Sequence, residues 1–491
     1  MGLKIVMVSA EVETLARTGG LGDAVAALAV QLAHMGHDVL VVTPHYGTTR
    51  ASVPRVPWSD GLVVGEGALA REVRVLELPR VERAGGGTLR TCLVSDPGLF
   101  DRAGIYGDTH GPFGDNDLRF STLSRAALAI AARVFGDPRD GAGPDVVHAH
   151  DWHAALTIVH AKALGPEWAR VPTVLTLHNV SYQGVLDVSA VARLGLPEWV
   201  LSPEIGGHEG ALNLVQAAIA LADRVTTVSP SHAREILTPE GGFGLDAHLR
   251  AHASKVSGIL NGIDELRFDP GLDGEIARKY DFASFVDGRR VCKAALLEEL
   301  GLDADVSRPL FGLVSRLTWQ KGIDLVLPLV DTLVERGARL AFLGTGERDL
   351  EAGLLEAARR HPGRVAARIT FDDGLARRMY AGLDFVLVPS RFEPCGLTQM
   401  YAMRYGAIPI VTPTGGLADS VSPVSVAHDT GTGIVAHGAT VDDVLVACDD
   451  AFVLYGDEVG RRQVIERAMA RDASWGASAR AYVELFRAIA R

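Results

Sequence analysis

The feature that most constrains this chain is an alternation repeated along its length. Short apolar runs, with no polar–apolar alternation of their own, are each followed by a stretch carrying apolar residues at helical spacing. Apolar strands of this kind fit a parallel sheet covered by helices on both faces. Lys4–Ser9 reads as a buried strand, Asp23–Met35 as a helix that stops at Gly36, and Val39–Thr43 as the next strand, one βαβ unit in all. The pattern returns as DVVHAH before HAALTIVHAKAL, then TVLTLHN, then ALNLVQAAIALA before RVTTVSP. Around Phe268–Asp287 the apolar runs thin and polar residues cluster. A second series then begins with PLFGLVSR, RLAFLGTG, RVAARITF, DFVLVPS and IPIVTPTGG, each followed by a plausible helix.

The alternation predicts an α/β chain of two doubly wound, Rossmann-like halves, with a boundary between about Arg250 and Pro270: residues 1–250, then 251–474. The length of 491 residues agrees, since single hydrophobic cores stop growing at roughly 250–300 residues. In such sheets ligands sit outside the carboxyl ends of the strands, and nearly every unusual residue of this sequence lies there.

Composition removes several classes of function. A formal net charge of -12 argues against a general nucleic-acid or membrane-surface role, because both need a compensating basic face. The start MGLKIVMVSAEVE is too short an apolar run for a secretory signal or a membrane span, so a first strand is expected. Cys92, Cys292, Cys395 and Cys448 are far apart with no CxxC pairing, which points to reduced thiols in a cytoplasm rather than a disulfide framework or zinc knuckle.

Two loops repeat almost the same phrase. EVETLARTGGLGDAVAAL places Arg17, Gly19, Gly20 and Gly22 ahead of one helix, and IVTPTGGLADSV places Thr414, Gly415 and Gly416 ahead of another. Each helix is expected to begin at or near its Asp. Paired glycines let backbone approach a ligand, and a helix start favours an anion. The plainer alternative is a tight turn capped by Asp23 or Asp419. Two copies, one per half, suggest two loops facing one ligand across a cleft. A nicotinamide site is disfavoured, since its glycines should follow the first strand at once.

Other strand ends carry chemistry. In VHAHDWHAAL, His148 and His150 share a strand face, while Asp151 and His153 are expected in the following turn. The run misses the HxHxDH signature of metallo-β-lactamase-type hydrolases by one position, so it reads as satisfied histidines with one functional acid, Asp151; a metal hydrolase is the alternative. TLHNVSYQG places His178 at a neighbouring strand end. VSRLTWQKG offers Arg316 and Lys321, two cations suited to a pyrophosphate. LGTGE adds Gly344 and Gly346, and SRFEPCGLTQMYAMRYG sets Glu393 in a turn ahead of a helix near Leu397, where an acid can bond sugar hydroxyls. Cys395 beside it reads as packing, with no base placed to activate it.

These phrases together resemble the bacterial glycogen synthase and plant starch synthase family, retaining glucosyltransferases of the GT-B architecture. The likeness runs in order from RTGGLGD through GDNDLRF, HAHDWHAAL, TLHNVSYQG, VSP, LNGID, VSRLTWQKG and SRFEPCGLTQMYAMRYG to TGGLADSV, essentially the whole chain. The resemblance implies two Rossmann-like domains facing a cleft, the first on the acceptor side and completed by a final helix near 475–491, the second on the nucleotide-sugar side. It implies transfer of glucose from ADP-glucose to the non-reducing end of an α-1,4-glucan, with UDP-glucose or a non-catalytic glucan-binding role as alternatives. By matching position it puts Arg17 where the family has a phosphate-approaching lysine. Arg316 and Lys321 fall on the phosphate-binding cations, Glu393 on the glutamate holding the transferred glucose, His178 near the anomeric centre, and Asp151 in the same pocket. No metal or other cofactor is implied. Gln216 departs from the family, which usually has a lysine there.

Overall fold

The structure, a computed structural model, describes residues 2–49, 54–58, 60–425 and 429–490. It divides into two units. Unit 1 comprises Met1–Val228, Ala233–Asn261 and Trp475–Arg491, and unit 2 comprises Ser229–His232 and Gly262–Ser474.

Unit 1 is built on β1 (Lys4–Val8), β2 (Asp38–Pro44), β3 (Arg71–Glu77), β4 (Thr88–Ser95), β5 (Val146–His150), β6 (Thr173–Leu177), β7 (Arg224–Thr227) and β8 (Val256–Gly258). The sheet runs β8-β7-β6-β5-β1-β2-β4-β3, continued by the short strand Val56–Pro57. β8 through β4 are parallel and β3 is antiparallel to β4. Side chains leave a strand on alternate faces, so β1 feeds two cores. Ile5 and Met7 join α1 (Gly20–His34), whereas Val6 and Val8 join α2 (Asn116–Phe135) and α3 (Asp151–Ala163). β4, β8 and the antiparallel edge go beyond the strands expected from apolar runs. TLRTCLVS interleaves polar and apolar residues, and Val256–Gly258 is half-buried, so neither announces itself as a core strand.

Unit 2 has β9 (Leu310–Val314), β10 (Arg339–Leu343), β11 (Val365–Arg368), β12 (Phe385–Val388), β13 (Ile408–Val411) and β14 (Ile434–Val435), all parallel. Their order is β11-β10-β9-β12-β13-β14, the doubly wound order in which the chain starts centrally, winds out one way, and returns to wind out the other. The parallel strands of unit 1 follow the same scheme from β1. The helix expected near Leu397 is α4 (Thr398–Arg404), beyond β12, and α5 (Gly415–Ser420) lies beyond β13.

The last helix, α6 (Trp475–Ile489), belongs to unit 1. Its apolar stripe of Trp475, Ala479, Tyr482, Val483 and Phe486 packs into the core shared by β1 and α1. Arg491, at the end of the helix expected from sequence, lies outside the described residues.

Candidate active site

Doubly wound sheets collect ligands at the carboxyl ends of the two strands between which the order reverses. In unit 1 those strands are β1 and β5, in unit 2 β9 and β12.

Beyond β1 the buried carboxylate of Glu11 gathers four donors. It accepts the Thr18 N–H at 2.6 Å, the Thr18 hydroxyl at 2.9 Å, the Gly19 N–H at 3.2 Å and the Tyr106 hydroxyl at 2.5 Å. The loop expected to offer N–H groups to an anion thus already holds an internal one. α1 begins at Gly20, three residues ahead of Asp23 and without a side-chain cap, so Asp23 is neither the start nor the cap. Asp23 instead takes the Arg17 guanidinium at 2.9 Å on a half-exposed surface. A Cβ on Gly19 or Gly20 would meet nothing within 4 Å, and Gly19 is extended at φ −159°. The fold gives no steric reason for these two glycines. Gly22 is different, since its Cβ would press on the Arg17 side chain and Glu13 backbone at 3.2 Å.

Beyond β5, Asp151 is the first residue of α3 at φ +57°, a left-handed conformation that Asp tolerates better than most residues. Asp151 and His153 therefore sit in the first helical turn, where an open turn was expected. The Asp151 carboxylate accepts the His178 N–H at 2.7 Å and the Asn179 N–H at 3.4 Å, tying the end of β6 to the start of α3. Burial pushes this carboxyl up to about 7, against the two backbone N–H groups and with the Glu11 charge adding. Burial also pushes the His178 imidazole down to about 3, so the ring is neutral. His178 Nε2 lies 3.1 Å from His150 Nδ1, and His148 Nε2 lies 2.6 Å from the Thr176 hydroxyl. His153 stacks on Tyr106 with centroids 4.5 Å apart. The histidines of the HAHDWH run are each taken up in separate contacts. Among the described residues no group of His, Cys, Asp and Glu is set to hold a metal. Gln216 is buried and donates to the carbonyls of Pro203 and Gly207, both at 3.2 Å, so its amide is spent on the fold.

In unit 2 the β9 and β12 loops are pressed together. Gly322, at φ +70°, lies so close that a Cβ would meet the Pro389 carbonyl at 2.0 Å. Arg391 grips Asp324 through two bonds of 2.8 and 2.7 Å. This closeness brings Lys321 Nζ to 2.5 Å from Glu393 Oε2, which also accepts the Ser390 hydroxyl at 2.9 Å. The Glu393 side chain is 8% exposed and that of Lys321 18%. Lys321, expected as a cation for a pyrophosphate, is paired with the very acid expected to meet sugar. Arg316 is exposed and has no ion pair among the described residues. Gly344 and Gly346 have a structural reason to be glycine: their Cβ atoms would strike the carbonyls of Ser315 at 1.8 Å and Leu317 at 2.1 Å. Gly416 lies against Cys395, where a Cβ would meet the carbonyl at 2.0 Å, and its N–H bonds the Glu393 carbonyl at 2.9 Å. α5 begins at Gly415, and Asp419 accepts the Ser231 N–H and hydroxyl, each at 2.7 Å, in place of capping the helix.

Comparison with known proteins agrees with this architecture. The starch synthase catalytic domain family matches residues 4–251, and the group 1 glycosyl transferases match residues 308–452. The glycogen synthase of Anaeromyxobacter dehalogenans is 42% identical over 99% of both chains, and that of Myxococcus xanthus 39% identical over 99% of both. The chain belongs to the glycogen and starch synthase family of glycosyltransferases. Among solved structures, the catalytic domain of starch synthase IV from Arabidopsis thaliana, bound to ADP and acarbose, superposes with a TM-score of 0.88 at 31% identity over 100% of both chains. A sucrose-phosphate synthase from Thermosynechococcus elongatus, 17% identical with a TM-score of 0.59, shares the GT-B fold, covering 99% of this chain and 98% of its own. No helix among the described residues of this glycogen and starch synthase family member is long and apolar enough to cross a membrane.

Sequence reading missed Glu11, Tyr106, Ser390 and the coupling of His150 to His178. The acid at position 11, two residues beyond a buried strand, was the available signal for the first. Tyr106 lies 95 residues from Glu11, and no local pattern joins them.

Proposed function

We propose that this glycosyltransferase moves glucose from ADP-glucose to the 4-hydroxyl at the non-reducing end of an α-1,4-glucan, with retention of configuration, in the cytoplasm. The observation that carries the reading is the enclosed Lys321–Glu393 pair at the β9–β12 switch point, with the exposed Arg316 on the same loop as Lys321. Membership of the glycogen and starch synthase family supports it, as does the ADP bound by the starch synthase IV relative.

Departure of ADP builds negative charge on the β-phosphate. Cations already fixed in place stabilise that charge most in the transition state, because they need no reorganisation as it develops. Arg316 and Lys321 supply this charge in unit 2; within unit 1, Arg17 stands where the family has its phosphate-approaching lysine. Glu393, held by Ser390 and Lys321, accepts hydroxyls of the transferred glucose. Within unit 1, His178 stands where the family has the histidine near the anomeric centre, and Asp151 sets the backbone that presents it. Gly19 and Gly20 leave room for a diphosphate to approach the start of α1. Retention follows when the leaving phosphate guides the incoming hydroxyl to the face it vacates.

Initial rates with ADP-glucose and with UDP-glucose, using glycogen as primer, test the reading. Faster transfer from ADP-glucose is expected. Preference for UDP-glucose would overturn the donor, and no transfer from either would overturn the function.

A further inference from the structure

We propose that His150 is a positioning residue that holds His178 in its Nδ1–H tautomer, so that His178 offers substrate oxygen a hydrogen-bond donor and not an acceptor. This role deepens the proposed glucosyl transfer and rests on it for the part His178 plays.

The two rings share one hydrogen bond, His150 Nδ1 to His178 Nε2 at 3.1 Å. One nitrogen must donate and the other accept. The remaining nitrogen of His150, Nε2, is buried with no partner among the described residues. If His178 Nε2 donated, neutral His150 would carry its hydrogen on that enclosed Nε2, a buried N–H with no acceptor. Buried N–H groups left without an acceptor are rarer in folded proteins than unfilled acceptors and bear the full cost of lost hydration. If His150 Nδ1 donates, the enclosed atom is only an unfilled lone pair, the milder fault. His178 then carries its own hydrogen on Nδ1. His178 is half-buried, and Nδ1 has no hydrogen bond among the described residues, so this is the nitrogen left for a ligand.

The neighbouring ring obeys the same rule. His148 Nδ1 is also buried without a partner, so Nε2–H donates to the Thr176 hydroxyl at 2.6 Å, which lies 2.6 Å from the Thr226 hydroxyl. The His148 ring lies 4.1 Å from that of His150 and packs on Tyr482 and Phe486, which keeps both imidazoles in place. Burial lowers the basicity of all three histidines, so none is cationic at neutral pH. A His178 held this way does not take a proton at Nδ1; it bonds a sugar hydroxyl or phosphate oxygen by giving a hydrogen.

Asparagine places its amide nitrogen near the position of a histidine Nδ1, and leucine fills a similar volume with no donor. The full-length protein labelled with 15N-histidine, with His178 assigned by substitution, reports the tautomer through long-range 1H–15N correlations. The expected result is a protonated Nδ1 at His178 in the wild type and in His150→Asn. With it, His150→Leu lowers kcat on the order of 10²-fold, the cost of a misplaced reacting contact, with KM for ADP-glucose little changed; His150→Asn restores most of kcat. Thermal melting of both variants keeps folding separate from positioning. A wild-type His178 protonated at Nε2, or a His150→Leu variant with unchanged kcat, would overturn the proposal. Unchanged kcat in His178→Ala would instead remove the role of His178 in the proposed function, a result distinguishable from the tautomer itself.

Discussion

In the loop ahead of α1, Gly19 and Gly20 face open space and Gly19 is in ordinary extended backbone. In the loop ahead of α5, Gly415 sits at φ +43° and Gly416 is wedged against Cys395. The first pair is not required by packing, while the second is required by it. The acids differ as well: Asp23 pairs with Arg17, and Asp419 holds Ser231. Six nearly identical letters therefore stand in two physical settings, one open ahead of α1 and one letting two loops of unit 2 pack. The lesson is that a repeated phrase does not establish a repeated device. What a Cβ would strike at each glycine separates the two.

The comparison can be broken most forcefully from the unit 2 side. Lys321→Ala is expected to lower kcat on the order of 10²–10³-fold, the scale of removing a fixed transition-state contact, and to destabilise by about 3–5 kcal/mol through the stranded Glu393. Adding Glu393→Gln should restore stability in a urea titration without restoring turnover; near-normal turnover in Lys321→Ala would remove the phosphate role. Gly416→Ala should cost about 3 kcal/mol, as an overpacked backbone contact does. By contrast, Gly20→Ala should stay within about 0.5 kcal/mol of wild type while raising KM for ADP-glucose about tenfold, a binding loss of roughly 1.4 kcal/mol. Equal melting temperatures for the two alanine variants would erase the distinction.

Asp151→Asn sharpens the unit 1 side. The folded carboxyl is held near 7 by burial, above the usual unfolded value of about 3.9. Its contribution to stability is therefore fully present below pH ~4 and lost as pH rises through about 7. Asparagine keeps an acceptor for the His178 N–H and has no such dependence. The Tm difference between variant and wild type should thus move in favour of the variant from pH 5 to pH 8, which calorimetry across that range checks. The smallest effect is at Arg17: lysine should be tolerated, and alanine should raise KM for ADP-glucose about fivefold, near the ~1 kcal/mol of a half-exposed charge contact.

Much of the architecture was legible because burial on both faces writes itself as unbroken apolar runs. β1, β5, β6 and β9 through β13 all fall on such runs. β3, β4 and β8 were not legible, since edge or half-buried strands mix polar residues into the pattern. At the site, Lys321 and Glu393 were legible as unusual residues at strand ends. Their pairing was not, because it depends on Gly322 pressing against Pro389 and on Arg391 gripping Asp324. Glu11 shows the same limit. Its local sequence reads as an acid in a loop, and only the folded chain brings Tyr106 to its carboxylate.

The return of α6 to unit 1 has a consequence for biosynthesis. Trp475, Tyr482 and Phe486 complete the core beneath β1 and α1, yet a ribosome adds them only after all of unit 2. All of Gly262–Ser474 must be made between the bulk of unit 1 and its last helix. At ~5–20 residues per second this is a wait of roughly 10–40 s, during which one apolar face of unit 1 stays uncovered and unit 2 is free to finish first. Unit 1 is thus opened before unit 2 and closed after it.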